Sequence, residues 1–449
     1  MLATDTICAL ATAQGFGAIG VIRVSGPDAI TCTQKLFSKQ LDSVDSHTLH
    51  FGTINDSKGG TLDEVLVSVF HESKSYTGEQ SCEIAYHGSQ YIAQQLLEAL
   101  VHAGCRMANP GEYTQRAFLN GKLDLSQAEA VADLIASGNK NAHGVALKQM
   151  RGGFSSELKG LRDRLIEFAS LVELELDFAE EDVEFADRSK LVSLIEEVLE
   201  YIARLIKSFE FGNAIKEGVP VAIVGAPNTG KSTLLNTLLN EDRAIVSNIA
   251  GTTRDVIEEL LVIDGIQFRL IDTAGIREGV EEIESQGIER SKLKIEQAKI
   301  VLCLADATKE KSTAEVEAWT AELQDEFPDK TIILVVNKSD AKQLDNNHLQ
   351  ISAKSGEGVE LLKKELSQKT QQGINLMEDT IVTNARHVEA LSKAKTALDA
   401  ALNGLKSGVS GDFVAMDIRQ ASFDLGSITG DISTDDLLGN IFANFCIGK

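Results

Sequence analysis

VAIVGAPNTGKSTLLNTLLN, residues 221–240, is the stretch on which the reading of this chain turns. An apolar run leads into a glycine-rich turn, and the leucines beyond it recur at helical spacing, the pattern of a buried strand, a loop and a helix. Gly225-Ala226-Pro227-Asn228-Thr229-Gly230-Lys231-Ser232 fits G-x-x-x-x-G-K-[ST] throughout. Glycines let backbone N–H groups wrap phosphates, Lys231 reaches the β- and γ-phosphates, and the Ser232 hydroxyl suits magnesium. Thr229, Gly230 and Thr233 belong to the same expected nucleotide-binding set.

Three segments downstream extend this reading. Asp272, Thr273, Ala274 and Gly275 form DTAG after the apolar run FRLI, where an aspartate can hold the magnesium shell and the glycine N–H can meet the γ-phosphate. Asn337, Lys338 and Asp340 belong to NKSD after TIILVV, and a carboxylate at Asp340 pairs with the N1–H and 2-amino group of guanine, which adenine lacks. Ser352, Ala353 and Lys354 complete a resemblance to the base-binding loop of small GTPases. The chain leaves the Ras-like pattern after DTAG: Ile276 stands where a glutamine positions the attacking water. Asn228 and the stretch SNIAGTTRD, residues 247–255, offer an alternative device, a monovalent cation held by an amide and by carbonyls against the phosphates; the other reading of Asn228 is a plain turn residue.

Outward from this core, 449 residues are too many for one hydrophobic core, and roughly 150 residues per domain suggests about three. Residues 1–118 alternate short β-rich runs such as DEVLVSVF with helical SQYIAQQLLEALVHAG, an α+β pattern. Residues 119–212 and 376–449 read as helical and as one all-α domain into which an α/β domain, 213–375, is inserted; Ser126 and Glu129 have capping-box spacing, and GNAIKEGVP reads as the linker into the insertion. The architecture expected is multidomain α/β.

Composition narrows the class. Hydrophobic residues make up 43% and charged residues 24%, and no apolar run reaches the roughly 18 residues that span a bilayer, so no membrane association is expected. The first residues lack a secretory-signal pattern, which points to the cytoplasm. Six scattered cysteines lack zinc or disulfide spacing. A net charge of −24 opposes broad binding to nucleic acid and leaves RNA to a local basic patch or a partner.

GAPNTGKS, GTTRD, DTAGIRE, NKSD and SAK together resemble the bacterial branch of GTPases that includes Era and the ribosome-assembly GTPases. SYTGEQSCEIAYHG (75–88), GEYTQRAFLNGKLDLSQAEAVADLI (111–135) and the ending DLLGNIFANFCIGK resemble, more narrowly, the MnmE (TrmE) family of tRNA-modification GTPases over essentially the whole chain. That resemblance implies an N-terminal folate-binding-like domain that also dimerises the chain, a helical domain, and an inserted Ras-like P-loop domain. It implies a potassium-activated GTPase acting with the flavoprotein MnmG, which brings FAD and NADH, to place an aminomethyl-type group on carbon 5 of the wobble uridine of certain tRNAs. Its cofactors would be GTP, magnesium, potassium and 5-formyltetrahydrofolate.

The resemblance also implies residue roles. Asn228, Ser247, Ile249 and Thr252 match the potassium ligands, with Asn248, Ala250 and Gly251 in the same loop; Ser232 and Thr253 match the magnesium ligands; Glu284, twelve residues beyond Asp272, matches the acid that orients water. Arg23, Glu83, Lys122 and Lys449 match the folate-binding positions, where cations suit the glutamate tail and a carboxylate suits the pterin N–H donors. Leu438, Ile441, Phe442 and Phe445 lie on one helical stripe that can anchor the terminus. Cys446 is then either a small buried hydrophobe or, as the resemblance implies, a participant in the chemistry. The rival reading is a ribosome-associated GTPase switch with no folate affinity.

Overall fold

The computed structural model describes residues 5–177, 188–242, 259–271, 294–344, 348–371, 380–432, 435–443, 445 and 448. They form two compact units. One gathers the N-terminal residues through Ala132, Gln149–Glu167 and the chain from Ser422 onward; the other holds Asp133–Lys148 and Phe168–Ala421.

The first unit is built on a six-stranded sheet of β1 (Ile7–Leu10), β2 (Ile19–Ser25), β3 (Thr48–Asn55), β4 (Thr61–Phe70), β5 (Ser81–His87) and β6 (Arg106–Met107), in the order β3-β4-β5-β2-β1-β6. Only the β1–β6 pairing is parallel. Alternation sorts its two faces: Val65, Val67 and Val69 are buried, whereas Leu66 points outward at 40% exposure. The inward residues share a core with Ile30, Leu96 and Leu100 from the helices Ala29–Leu36 and Gln90–Ala103. Cys8, Cys32, Cys82 and Cys105 are free and lie in this core. Burial pushes the Cys32 and Cys82 thiols up to about 12, so both are inert as nucleophiles at neutral pH.

The segment GEYTQRAF forms the helix Glu112–Leu119. Its Arg116 is 3% exposed and is held by Asp5, Glu79 and Glu112, which fixes the helix against the start of the chain. The helix Leu125–Ala136 is capped by Asp124 and Gln127, not by Ser126 and Glu129: Gln127 N donates to Asp124 Oδ1 at 2.8 Å and Asp124 N to Gln127 Oε1 at 2.9 Å. Leu125 and Ala128 are fully buried against Leu438 and Phe442 of the last helix, Asp435–Phe442, with Phe118, Ile441 and Phe445 partly buried around them. Gly111 has φ +68, and a Cβ there would stand 2.5 Å from Phe442 O and 2.9 Å from Phe445 Cβ. The apolar stripe of the terminus is therefore a real anchor.

In the second unit a parallel sheet is flanked by helices. β7 (Val219–Gly225), β8 (Glu259–Ile263), β9 (Ile266–Leu270), β10 (Ile300–Asp306), β11 (Thr331–Asn337) and β12 (Leu349–Ile351) take the order β12-β11-β10-β7-β9-β8, with β8 alone antiparallel. β10 is buried along its whole length, as a central parallel strand requires. The supposed linker departs from expectation: the helix Arg188–Glu217 runs through residues 213–217, and Gly218, at φ +85, makes the turn into β7. Glycine is needed earlier as well, since a Cβ on Gly212 would collide with the Val382 carbonyl. Phe211, Ala214 and Ile215 share one core with Val219, Leu234 and Phe268, so the end of that helix belongs to the packing of the sheet. The β8–β9 turn meets Asn141, whose Nδ2 donates to Asp264 O at 3.3 Å.

Candidate functional site

Open α/β sheets bind ligands beyond the carboxyl ends of their strands. In the second unit those ends carry GAPNTGKS after β7, Asp306 at the end of β10, NKSD after β11 and SAK after β12. The loop after β7 needs its glycines. Gly225 has φ +150 and lies where a Cβ would be 2.6 Å from Leu304 O; Gly230 has φ +97, and a Cβ there would collide with the Asn337 amide nitrogen. Asn228 takes φ +63 without being glycine. The helix Lys231–Asp242 starts directly after this loop, with Ser232 and Thr233 exposed in its first turn, the place where helix N–H groups favour anions.

Asn337 joins two of these loops. Its Nδ2 donates to Thr229 O at 2.8 Å, and its Oδ1 accepts from Ala353 N at 2.9 Å, both bonds buried. Thr237 Oγ1 adds a bond to Ala353 O at 2.6 Å. Thr229, 1% exposed, donates its hydroxyl to Ala226 O at 2.9 Å, and Ser352 is fully buried with its Oγ accepting from Ser355 N. Asp340 and Lys354 are exposed. Lys231 Nζ donates to the Gly225 and Ala226 carbonyls at 2.7 and 3.0 Å, so its charge sits over the loop that the glycines shape. The expected nucleotide residues among those described are thus brought together at the carboxyl ends of the strands. Ser247, Asn248, Ile249, Ala250, Gly251, Thr252, Thr253, Asp272, Thr273, Ala274, Gly275 and Glu284 lie outside the described residues, as do Cys446 and Lys449.

A second constellation lies on the outer face of the first unit's sheet. Arg23 on β2 stands opposite Glu83 on β5, and its Nη2 and Nε lie 2.8 and 3.0 Å from Glu83 Oε1. Arg23 Nη1 also donates to Gly448 O at 3.4 Å, so the end of the chain reaches this pair. The guanidinium lies 5.3 Å from the Tyr76 ring and 5.7 Å from the Tyr113 ring, while Tyr113 Oη donates to Arg23 O at 2.7 Å. Burial pushes both phenols above their usual range, so they act as neutral rings and hydroxyl donors. Lys122 is not joined to the pair; its Nζ donates to Ser73 O at 2.8 Å, tying down the loop that carries Tyr76. The two tyrosines lie inside segments singled out in the sequence, SYTGEQ and GEYTQ, but only cross-strand packing reveals that they flank a cation. Gly448 packs against the Leu10 carbonyl, and Leu10 lines a cavity of about 810 Å³ together with Phe16, Ile19, Gln90, Leu97 and Met107.

Residues 6–122 match the family model described as the GTP-binding protein TrmE N-terminus, and residues 125–446 match that of the MnmE helical domain. The chain is similar to proteins named tRNA modification GTPase MnmE from Flavobacterium johnsoniae, 53% identical with all of both chains covered, and from Cytophaga hutchinsonii, 54% identical with 99% of this chain and 98% of that one covered. The counterpart in Bacteroides thetaiotaomicron is 52% identical over 99% of each chain. With a phosphate-binding loop clamped to two base-binding loops, and both domain models matched in order, the chain belongs to the MnmE (TrmE) family of tRNA modification GTPases.

Proposed function

We propose that this chain is a potassium-activated GTPase which, as a homodimer with the flavoprotein MnmG, modifies carbon 5 of the wobble uridine of certain tRNAs with a one-carbon unit from 5-formyltetrahydrofolate, in the cytoplasm. The observation that carries the folate part is the bridge from Arg23 to Glu83 and to Gly448 O. Arg23 and Gly448, 425 residues apart in sequence, meet there, and Glu83 and Arg23 offer what suits a reduced folate: a carboxylate for the pterin N–H donors and a cation for the glutamate tail. The neighbouring cavity falls within the roughly 300–1,000 Å³ range of small-molecule sites. Lys122 and Lys449 supply further cations in this reading, and Cys446 a thiol close to the carbon to be transferred. No helix among the described residues is long and apolar enough to cross a membrane.

In the nucleotide site the residues fit magnesium and an alkali cation. Ser232 lies in the first turn of the helix after the loop, with Thr253 as the second magnesium ligand of this reading. Asn228 is exposed at the loop tip, and its own carbonyl is engaged by Lys338 Nζ at 2.8 Å, which leaves the side-chain amide to serve potassium alongside Ser247, Ile249 and Thr252. A bound potassium ion would offset developing phosphoryl charge as an arginine finger does elsewhere, and Glu284 would orient the water that Ile276, with no polar atom, cannot. FAD and NADH belong to the partner.

Equilibrium binding of 5-formyltetrahydrofolate to the full chain and to Arg23→Ala tests the folate part. Loss of a charge-assisted contact should weaken binding by about tenfold or more, since 1.4 kcal/mol is tenfold and such bonds contribute about 1.5–3 kcal/mol. GTP turnover of the variant serves as the folding control. Wild-type protein that binds no folate, or a variant that binds it equally well, would refute this reading.

A further inference from the structure

One buried carboxylate beside the nucleotide loops has no counterpart in the motifs read from the sequence. Asp306 ends β10, opposite Asn337 in the parallel register with β11, and is 1% exposed. Its Oδ1 accepts from Thr308 N at 3.0 Å and from the Thr308 hydroxyl at 2.6 Å. Its Oδ2 accepts from Lys338 Nζ at 2.6 Å, and the same ammonium donates to Asn228 O at 2.8 Å. Burial opposes ionisation here, but the bonds from Lys338 and Thr308 outweigh it and hold the carboxyl below the usual range. Lys338 and Asn228 both have positive φ, +69 and +63, at positions where glycine would be at ease. Asparagine tolerates that region, but a lysine persists there only where its surroundings hold it, and the bond from its ammonium to Asp306 is such a constraint.

We propose that Asp306 is a positioning residue for guanine-nucleotide binding. It fixes Lys338 between β10 and the phosphate loop, and so sets the segment 337–340, with Asp340 at its end, at one distance from Asn228 and from the phosphates. Without it the Lys338 ammonium keeps only the Asn228 carbonyl among these partners, and the strained backbone at Lys338 loses its tether to β10. This inference rests on reading Asp340 as the residue that recognises guanine.

The test is GDP affinity of the full chain carrying Asp306→Asn, Lys338→Ala, both, or neither. Each single change is expected to weaken GDP binding by about tenfold, because a charged hydrogen bond is lost, and the double variant to bind no more weakly than Lys338→Ala alone. In turnover the loss should appear mainly in KM. A merely structural role would instead give multiplying effects of the two substitutions and equal losses in kcat, and either result overturns the proposal, as does wild-type affinity in Asp306→Asn. If Asp306→Asn fails to fold, Lys338→Met breaks the same pair from the exposed side and must bind GDP about tenfold more weakly; wild-type affinity there is equally fatal. Asp340→Asn separates the two claims. If it leaves GDP binding intact, the base-slot reading fails; if it rejects GDP while Asp306→Asn stays silent, only the role of Asp306 fails.

Discussion

Asp340→Asn is expected to reject guanine nucleotides and to accept xanthine nucleotides in their place. Asp340 is exposed just beyond β11, while its neighbour Ser339 is 9% exposed and is held through its N–H to Ile351 O at 3.1 Å, so the backbone that presents the carboxylate is fixed by β12. A carboxylate accepts both the N1–H and the 2-amino group of guanine; an asparagine turns an N–H donor toward a donor and leaves one contact repulsive. Xanthine carries a carbonyl at the 2-position, which restores the pairing. Sites built to hydrogen-bond a substrate reject mismatched analogues by roughly 10⁴-fold, so a loss of GDP affinity on the order of a thousandfold or more is expected, with XDP binding gained. Competition of GDP against XDP for the variant measures this, and unchanged GDP preference would remove Asp340 from the base slot.

Lys231→Ala should slow hydrolysis by about a thousandfold. The ammonium lies over the Gly225 and Ala226 carbonyls, one residue after Gly230, whose φ of +97 shapes the loop. Phosphoryl transfer asks the protein for positioning and for charge stabilisation, with little covalent work, so a preorganised cation is a large share of its catalytic power. Removing one such donor costs about 10²–10³ in kcat, and a full charge at the β- and γ-phosphates belongs at the upper end. Single-turnover hydrolysis at saturating GTP measures the effect. A rate within tenfold of wild type would mean that another group neutralises the developing charge.

Different parts of this molecule were legible in the sequence for different physical reasons. The phosphate loop is local: its glycines, lysine and serine are consecutive, and the positive φ values at Gly225 and Gly230 are what that spacing implies. The anchoring of the last helix was legible as well, because Leu438 and Phe442, at 5% and 2% exposure, follow the helical period. The capping box was misplaced by two residues because both pairs have the same three-residue spacing; what selects Asp124 and Gln127 is the burial of Leu125 and Ala128, which sets where the first turn begins. The end of the helix Arg188–Glu217 was read as a linker because Gly212 looks like a breaker, whereas its missing side chain serves close approach of the Val382 carbonyl. Asp306 passed unnoticed since a polar residue closing an apolar strand has no periodic signature, and its partner lies 32 residues away. Arg23 and Glu83 were named through resemblance alone. Their pairing depends on the β2–β5 register, which no local pattern spells out.

The proposed function couples GTP turnover to transfer of a folate carbon, and carbon transfer can be followed directly. The full chain, the flavoprotein of the proposed reaction, GTP, magnesium, NADH and unmodified tRNA would be supplied with 5-formyltetrahydrofolate labelled at the formyl carbon, in potassium chloride and in sodium chloride at equal ionic strength. The account predicts label at carbon 5 of the wobble uridine in potassium, falling together with GTP turnover in sodium. Modified uridine that carries no label, or equal labelling and turnover in both salts, would contradict it.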